Sequence, residues 1–342
     1  MATGVLTPSA SATARPDTVQ RALNALVQTD GVPGALAGVT ERNGRTRSYT
    51  AGPDVPRDGQ VRIGSNAKMF TAVVVLQLVG EGKVGLDAKV ETYLPGLVRG
   101  EGIDGRDISV RELLQHTSGL PEYEADVTDD ILQRRYLEPR DLLDIAFRHK
   151  SDFSPGTSWA YSSTNYVLAG LIVQKVTGRP LGEQIDKRII QPLGLRHTYF
   201  PAPGDMTIRE PHPKGHDQRR DVTEIDPSAA WAAGQMISTN SDLNRFLTAL
   251  LAGRLLPPAQ LAQMRTTVPL GDTGAGYGLG LMSRPLSCGG VYWGHGGDIP
   301  GFETRGGVTD DGRAANIAVT VSPPDGAATK HLEQAVDTAL CR

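Results

Sequence analysis

The 342-residue chain carries 35 basic and 38 acidic side chains for a formal net charge of −3, with 39% hydrophobic and 21% charged residues. That balance fits an ordinary globular chain, long enough to bury a sizeable core in two lobes. With no basic block, nucleic acid and anionic membrane surfaces are excluded as partners, and the longest apolar run, around Val73 to Val79, is too short to span a bilayer.

Residues 1–16 read as a disordered lead-in. Met1 to Pro16 is rich in Ala, Thr and Ser but lacks a charged start followed by an apolar core, so no secretory leader is read and the expected location is cytoplasmic. Cys288 and Cys341 oppose that reading if they are paired. A disulfide would indicate an oxidising compartment, and an extracellular protein whose leader had been removed. If free, the two are small core residues.

Asp17 to Gln28 carries Val19, Leu23, Leu26 and Val27 at helical spacing. Strands are expected at Ala35 to Thr40 and Arg47 to Ala51, with the polar turn Glu41 to Arg45 between them. A buried helix follows over Met69 to Val79. Helices joined by Pro/Gly loops are expected at Val110–Leu114, Leu142–Arg148, Tyr166–Val176 and Gln184–Ile190. Pro201 to Ile225 reads as surface loop. After Trp231 come a helix, Ser241 to Ala252, and strands over Gly276–Met282, Gly290–Trp293, Phe302–Val308 and Ala315–Val321. A helix from Lys330 to Leu340 closes the chain. Strands at both ends of a helical block predict an α/β (α+β) fold, one antiparallel sheet flanked by helices. Residues 17–81 and 235–342 would build the sheet domain, and 82–234 an inserted all-helical domain.

Immediately before the first buried helix stands Ser65-Asn66-Ala67-Lys68. Residues three apart share a helix face, so the lysine reaches the serine. Burial disfavours an ammonium and can leave the amine neutral, as a base. Backbone N–H groups at the helix start favour negative charge near the hydroxyl. The competing explanation is a serine N-cap and a lysine that snorkels to solvent.

Acyl transfer also needs a proton relay and an oxyanion site. Tyr161, in the loop Tyr161-Ser162-Ser163-Thr164-Asn165-Tyr166, is the relay candidate. His295-Gly296-Gly297, at a strand end, would let a substrate approach the backbone closely. No Gly-Lys-Ser follows, which disfavours a phosphate loop, and no Gly-x-Ser-x-Gly elbow surrounds Ser65. His212 and His216 are four apart, but Pro211, Pro213 and Gly215 deny them a helix, so neither metal nor cofactor is expected.

These elements, in this order, resemble the serine β-lactamase and penicillin-binding protein superfamily. Within it the chain is most similar to the branch of class C β-lactamases, soluble DD-carboxypeptidases and family VIII carboxylesterases. The resemblance runs from about Gly34 to Cys341. It is carried also by Gly80-Glu81-Gly82-Lys83, Tyr93-Leu94-Pro95-Gly96, the run Leu113 to Leu120, Pro192-Leu193-Gly194-Leu195 and Gly301-Phe302. It implies an acylated Ser65, Lys68 as its base and Tyr161 as proton shuttle. His295-Gly296-Gly297 would line the cleft edge, the N–H groups of Ser65 and Asp298 would form the oxyanion hole, and Trp231 a wall.

Three departures from the family pattern bear on the substrate. Ser163 replaces the usual amide side chain, and Gly296 stands where peptidase members carry a hydroxyl. Met282 occupies the position where a soluble DD-carboxypeptidase offers arginine. Arg284, on the same face of the expected strand, is the remaining cation, and an inward Asp298 would repel a carboxylate. An unpaired buried carboxylate costs on the order of 1–3 kcal/mol.

The expectation is therefore an acyl-Ser65 enzyme acting on a small-molecule ester or amide, or a peptide, without a free C-terminal carboxylate. It would be an esterase, amidase or transacylase of secondary metabolism, working as a monomer. The alternatives are a D-alanyl-D-alanine carboxypeptidase or penicillin-binding enzyme, and a non-catalytic binding protein.

Overall fold

The computed structural model describes residues 17–128, 135–322 and 326–342. The expected lead-in, 1–16, lies outside the described residues.

Helix α1 (Thr18–Gln28) starts where the Asp17 carboxylate accepts from Val19 N, and it buries Val19, Leu23 and Leu26. Strands β1 (Ala35–Thr40) and β2 (Thr46–Ala51) follow as an antiparallel hairpin with Ala35 opposite Ala51. β1 is buried on both faces. Leu36 lies on the face covered by the helix Asn240–Leu251 and joins the core that holds helix α2 (Ala67–Gly80), while Ala35, Ala37 and Val39 pack toward α1 and the C-terminal helix. α2 is buried almost all round, and its Phe70 ring stacks on Phe246 at 4.0 Å.

A short clasp joins β3 (Val61–Arg62) to β4 (Ile237–Ser238), so the chain leaves and re-enters the sheet region at one place. Between them lie helices α3 (Val110–Gln115), α4 (Pro139–Ala146) and α5 (Thr164–Thr177), packed around Leu113, Leu142, Leu168 and Ile172. Three short turns, Leu181–Ile185, Asp186–Ile190 and Gln191–Leu193, follow one another without a break. After β4 comes α6 (Asn240–Leu251), capped by the Thr239 hydroxyl.

The remaining strands are β5 (Val268–Pro269), β6 (Gly276–Tyr277), β7 (Met282–Pro285), β8 (Val291–Gly294), β9 (Gly297–Ile299), β10 (Phe302–Thr309) and β11 (Ala314–Val319). Among the described residues they complete a nine-stranded antiparallel sheet in the order β2-β1-β11-β10-β8-β7-β6-β5, with β9 also on β10. α6 covers one face. α1 and the last helix, α7 (Gly326–Leu340), cover the other with Leu332, Val336 and Leu340. Cys288 and Cys341 are bonded, with Cα atoms 5.7 Å apart, tying the β7–β8 turn to the chain beyond α7.

One expected strand is corrected. Gly276 to Met282 does not run straight but folds back at Gly278–Leu281, because Gly280 takes φ +75° and Gly278 N donates to Leu281 O at 2.8 Å. The turn buries Leu279 and Leu281 completely, which explains the uninterrupted apolar run. The other expected helices and strands lie where the periodicity puts them, within a few residues at their ends. The segment 82–234 is not all-helical, however: Arg99–Gly100 pairs with Ile103–Asp104 and His216–Asp217 with Arg220–Asp221, and Pro201 to Ile225 buries Ile208, Val222 and Ile225.

Candidate active site

A 3₁₀ turn, Gly64–Asn66, precedes α2 and carries Ser65. The capping explanation fails here. Ser65 lies inside the turn, and the residue flanking α2, Asn66, makes no side-chain cap; its amide donates instead to Ile63 O and to the Thr304 hydroxyl at 2.6 Å. The snorkelling explanation fails too, because Lys68 is 0% exposed.

Lys68 Nζ lies 3.0 Å from Ser65 Oγ, 3.2 Å from Ser163 Oγ and 3.1 Å from the Ala233 carbonyl oxygen. Burial drives its pKa down to about 8, against the opposing pull of Glu124, Glu122 and Asp298. Ser163 therefore answers for the missing amide by bonding the amine directly. The turn Trp231–Gly234 supplies the Ala233 carbonyl.

Tyr161 is half-buried, its hydroxyl shielded from solvent and its ring 4.8 Å from Lys68 Nζ. Its hydroxyl makes no hydrogen bond of regular geometry. Burial pushes the phenol well above its ordinary pKa, and the nearby Ser65 hydroxyl pulls the other way.

Gly294 faces Gly307 and Gly297 faces Thr304, so β8 and β9 continue one register across the interruption at His295-Gly296. The interruption puts Gly297 and Asp298 beside the Ser65 turn and His295 beside Tyr277 and Tyr161. A methyl on Gly297 would lie 1.9 Å from Ile63 O, so only glycine fits. A methyl on Gly64 would lie 2.9 Å from Asp298 N, which shows how closely the Asp298 backbone approaches the residue before Ser65.

Other expected site residues point elsewhere. The Asp298 carboxylate is exposed and paired with Arg305 at 3.0 Å, so it does not aim inward as a free charge. Arg284 is bound to Glu333 of α7 at 2.7 Å and stands opposite Tyr292, which packs in the core beneath α7. Strand alternation puts Met282 on that same face. The structure does not bring Met282 or Arg284 to Ser65. Trp231 lies against Gly170 and lines a separate cavity of about 590 Å³ with Leu171, Phe200 and Gln235; Ser65 and Tyr161 are not among its walls.

Sequence reasoning passed over Glu122, Glu124, His116 and Tyr277. The Glu122 carboxylate accepts from Ser163 N at 2.7 Å and is raised above the ordinary range by burial and then by Glu124. A small cavity of about 170 Å³ adjoins the Ser65 turn, walled by Tyr123, Ala230, Ile299 and Pro300 with Glu124 and Asp298 at its polar side. Only position offered a signal: His116 and Glu122 sit in and just after the Leu113–Leu120 run, and Tyr277 begins the Tyr-Gly-Leu-Gly turn.

The chain folds as an antiparallel sheet sandwiched by helices, with a helical lobe beside the Ser65 turn. It belongs to the beta-lactamase family, whose pattern matches residues 19–339. It is similar to the D-stereospecific amidohydrolase from a Streptomyces species, at 42% identity and a TM-score of 0.88 over 94% of this chain and 98% of that one. The D-amino acid amidase of Ochrobactrum anthropi SV3 superposes with a TM-score of 0.82 at 28% identity, over 94% and 96%. Esterase EstB of Burkholderia gladioli is 30% identical over 69% of each chain. Of the first curated relatives it matches, the chain spans 32%, 60%, 59% and 69% of their length.

Proposed function

We propose that the chain hydrolyses amides, and esters of the same acids, whose acyl part bears a free ammonium group beside the reacting carbonyl, with preference for the D configuration. Ser65 is the nucleophile. A neutral Lys68 has two N–H bonds, which suit Ala233 O and Ser163 Oγ, and one lone pair left to take the Ser65 proton. Tyr161 carries that proton to the leaving amine, and the N–H groups of Ser65 and Asp298 receive the oxyanion. Water, or a second amine, then releases the acyl group.

The observation that carries the substrate class is the charge around the cleft. Glu122 and Glu124 act on Lys68, while Asp298 is paired with Arg305, and Arg284 and Arg305 are both committed to carboxylates. Such a site attracts an ammonium and repels a carboxylate. The D preference comes from the similar amidohydrolase and amidase, which are named for D substrates.

Intact-mass detection of an acyl adduct, and turnover of D- and L-phenylalanine amide, N-acetyl-D-phenylalanine amide and a D-Ala-D-Ala peptide, test the proposal. Ser65→Ala must abolish the adduct, and the free-amine D-amide must be the best substrate. Faster turnover of the D-Ala-D-Ala peptide would instead establish the carboxypeptidase reading, which the Cys288–Cys341 disulfide favours through its compartment.

A further inference from the structure

Two buried imidazoles, His116 and His295, stand at the cleft, and the scheme above gives neither a proton to carry. One phenol joins them. The Tyr277 hydroxyl lies 3.0 Å from His116 Nε2 and 3.0 Å from His295 Nε2. At the far side of each ring is a group whose role admits no choice. Ser162 N–H can only donate, and it meets His116 Nδ1 at 3.1 Å. The Gly296 carbonyl can only accept, and it meets His295 Nδ1.

Each end therefore fixes its own ring. His116 Nδ1 is bare, so a neutral His116 carries its hydrogen on Nε2 and donates to the Tyr277 oxygen. His295 carries its hydrogen on Nδ1, so its bare Nε2 accepts from the Tyr277 O–H. The two ends independently require the same direction through the one hydroxyl between them. Burial, which disfavours a charged imidazolium at both rings, agrees with neutral tautomers.

We infer that Tyr277 is a positioning residue for acyl transfer. Its hydroxyl closes a one-way hydrogen-bond chain, Ser162 N–H to His116 to Tyr277 to His295 to Gly296 C=O, that locks the two imidazoles in opposite tautomers and ties the Tyr161 loop to the β8–β9 edge. The chain also explains why neither imidazole nor Tyr277 bonds the Tyr161 hydroxyl. Its ring packs 4.4 Å from His116, 6.3 Å from Tyr277 and 6.1 Å from His295, centroid to centroid, yet the polar atoms of all three are already committed to one another. Tyr161 is caged by rings that offer its hydroxyl no polar partner, and that hydroxyl is left for Ser65 and the leaving group. This role rests on the assignment of Ser65 and Tyr161 proposed above.

Two measurements test it. In protein labelled with ¹⁵N-histidine at pH 7, long-range ring couplings must report His116 protonated at Nε2 and His295 at Nδ1. Equal tautomers, or an imidazolium at either ring, would overturn the inference. Tyr277→Phe keeps the ring and removes only the hydroxyl. With p-nitrophenyl acetate its kcat must fall about tenfold or more while KM stays within about twofold, as for a group that orients the reaction rather than binding substrate. Wild-type kcat in a folded Tyr277→Phe variant would equally sink it. If that variant does not fold, the wild-type tautomers alone decide. The tautomers do not depend on turnover, so an adduct surviving in Ser65→Ala would remove the nucleophile assignment without touching the chain.

Discussion

Three carboxylates draw the Lys68 ammonium toward its charged form while burial resists it, and burial prevails: the pKa falls from the ordinary 10.5 to about 8. An amine that must accept a proton works only when deprotonated. With an activated ester, kcat/KM is therefore expected to rise with pH through about 8, and a flat profile from pH 6 to 9 would show that another group is the base. The same shift sets a stability trend. The unfolded chain holds the proton up to about 10.5 and the folded one only to about 8, so this group makes stability increase with pH across that window, as urea midpoints can register. Lys68→Ala should lower kcat by about 10²–10⁴-fold. For Glu122→Gln, which keeps an acceptor for Ser163 N, the expectation is a KM about tenfold higher for a free-amine amide, with little change for p-nitrophenyl acetate. Equal effects on both substrates would place Glu122 in the scaffold only. Ser65 and Lys68 were legible in the sequence because they lie three residues apart on one helical turn. Glu122 was not, because it is held at the site by Ser163 N, 41 residues away in sequence, and acts on Lys68 through its charge.

At the scale of elements, the cleft is a near-collision between the Ser65 turn and the β8–β9 edge. Gly297 permits that approach, and Asn66 pins it by bonding Thr304 on β10. Gly297→Ala forces backbone apart at Ile63 O. It is expected to abolish acylation while circular dichroism retains the wild-type helix and strand content; normal acylation would mean the contact is not required. Periodicity located α1 because it buries one regular face, whereas α2, α5, β1 and β10 were located as runs buried on nearly all sides. It misread Gly276 to Met282 because a fully buried hairpin and a fully buried strand present the same unbroken apolar run. The difference lies in the φ of Gly280, which tertiary contacts with Leu114 O and Met264 O stabilise from a distance. The resemblance placed Met282, and Arg284 on the same strand face, beside the substrate, when their register with Gly294 and Tyr292 turns them toward α7.

Over the whole molecule, the sheet draws on both ends of the chain, and the Cys288–Cys341 bond closes a loop of 53 residues around its C-terminal part. Cys288→Ser should cost about 2–4 kcal/mol, read as a lower urea midpoint, with little effect on acylation by an activated ester. An unchanged midpoint would show the bond to be dispensable.

The pairing of β1 with β11, Ala35 against Val319, sets the order of assembly as well as the final shape. During synthesis β1 and β2 emerge early and can close their own hairpin, but the inner edge of β1 has no partner until almost the entire chain has left the ribosome. For that interval an apolar edge strand waits open, and so distant a pairing is slow to close. A chain ended before Ala314 would lack β11 and leave the β1 edge uncovered and exposed to pairing with another chain.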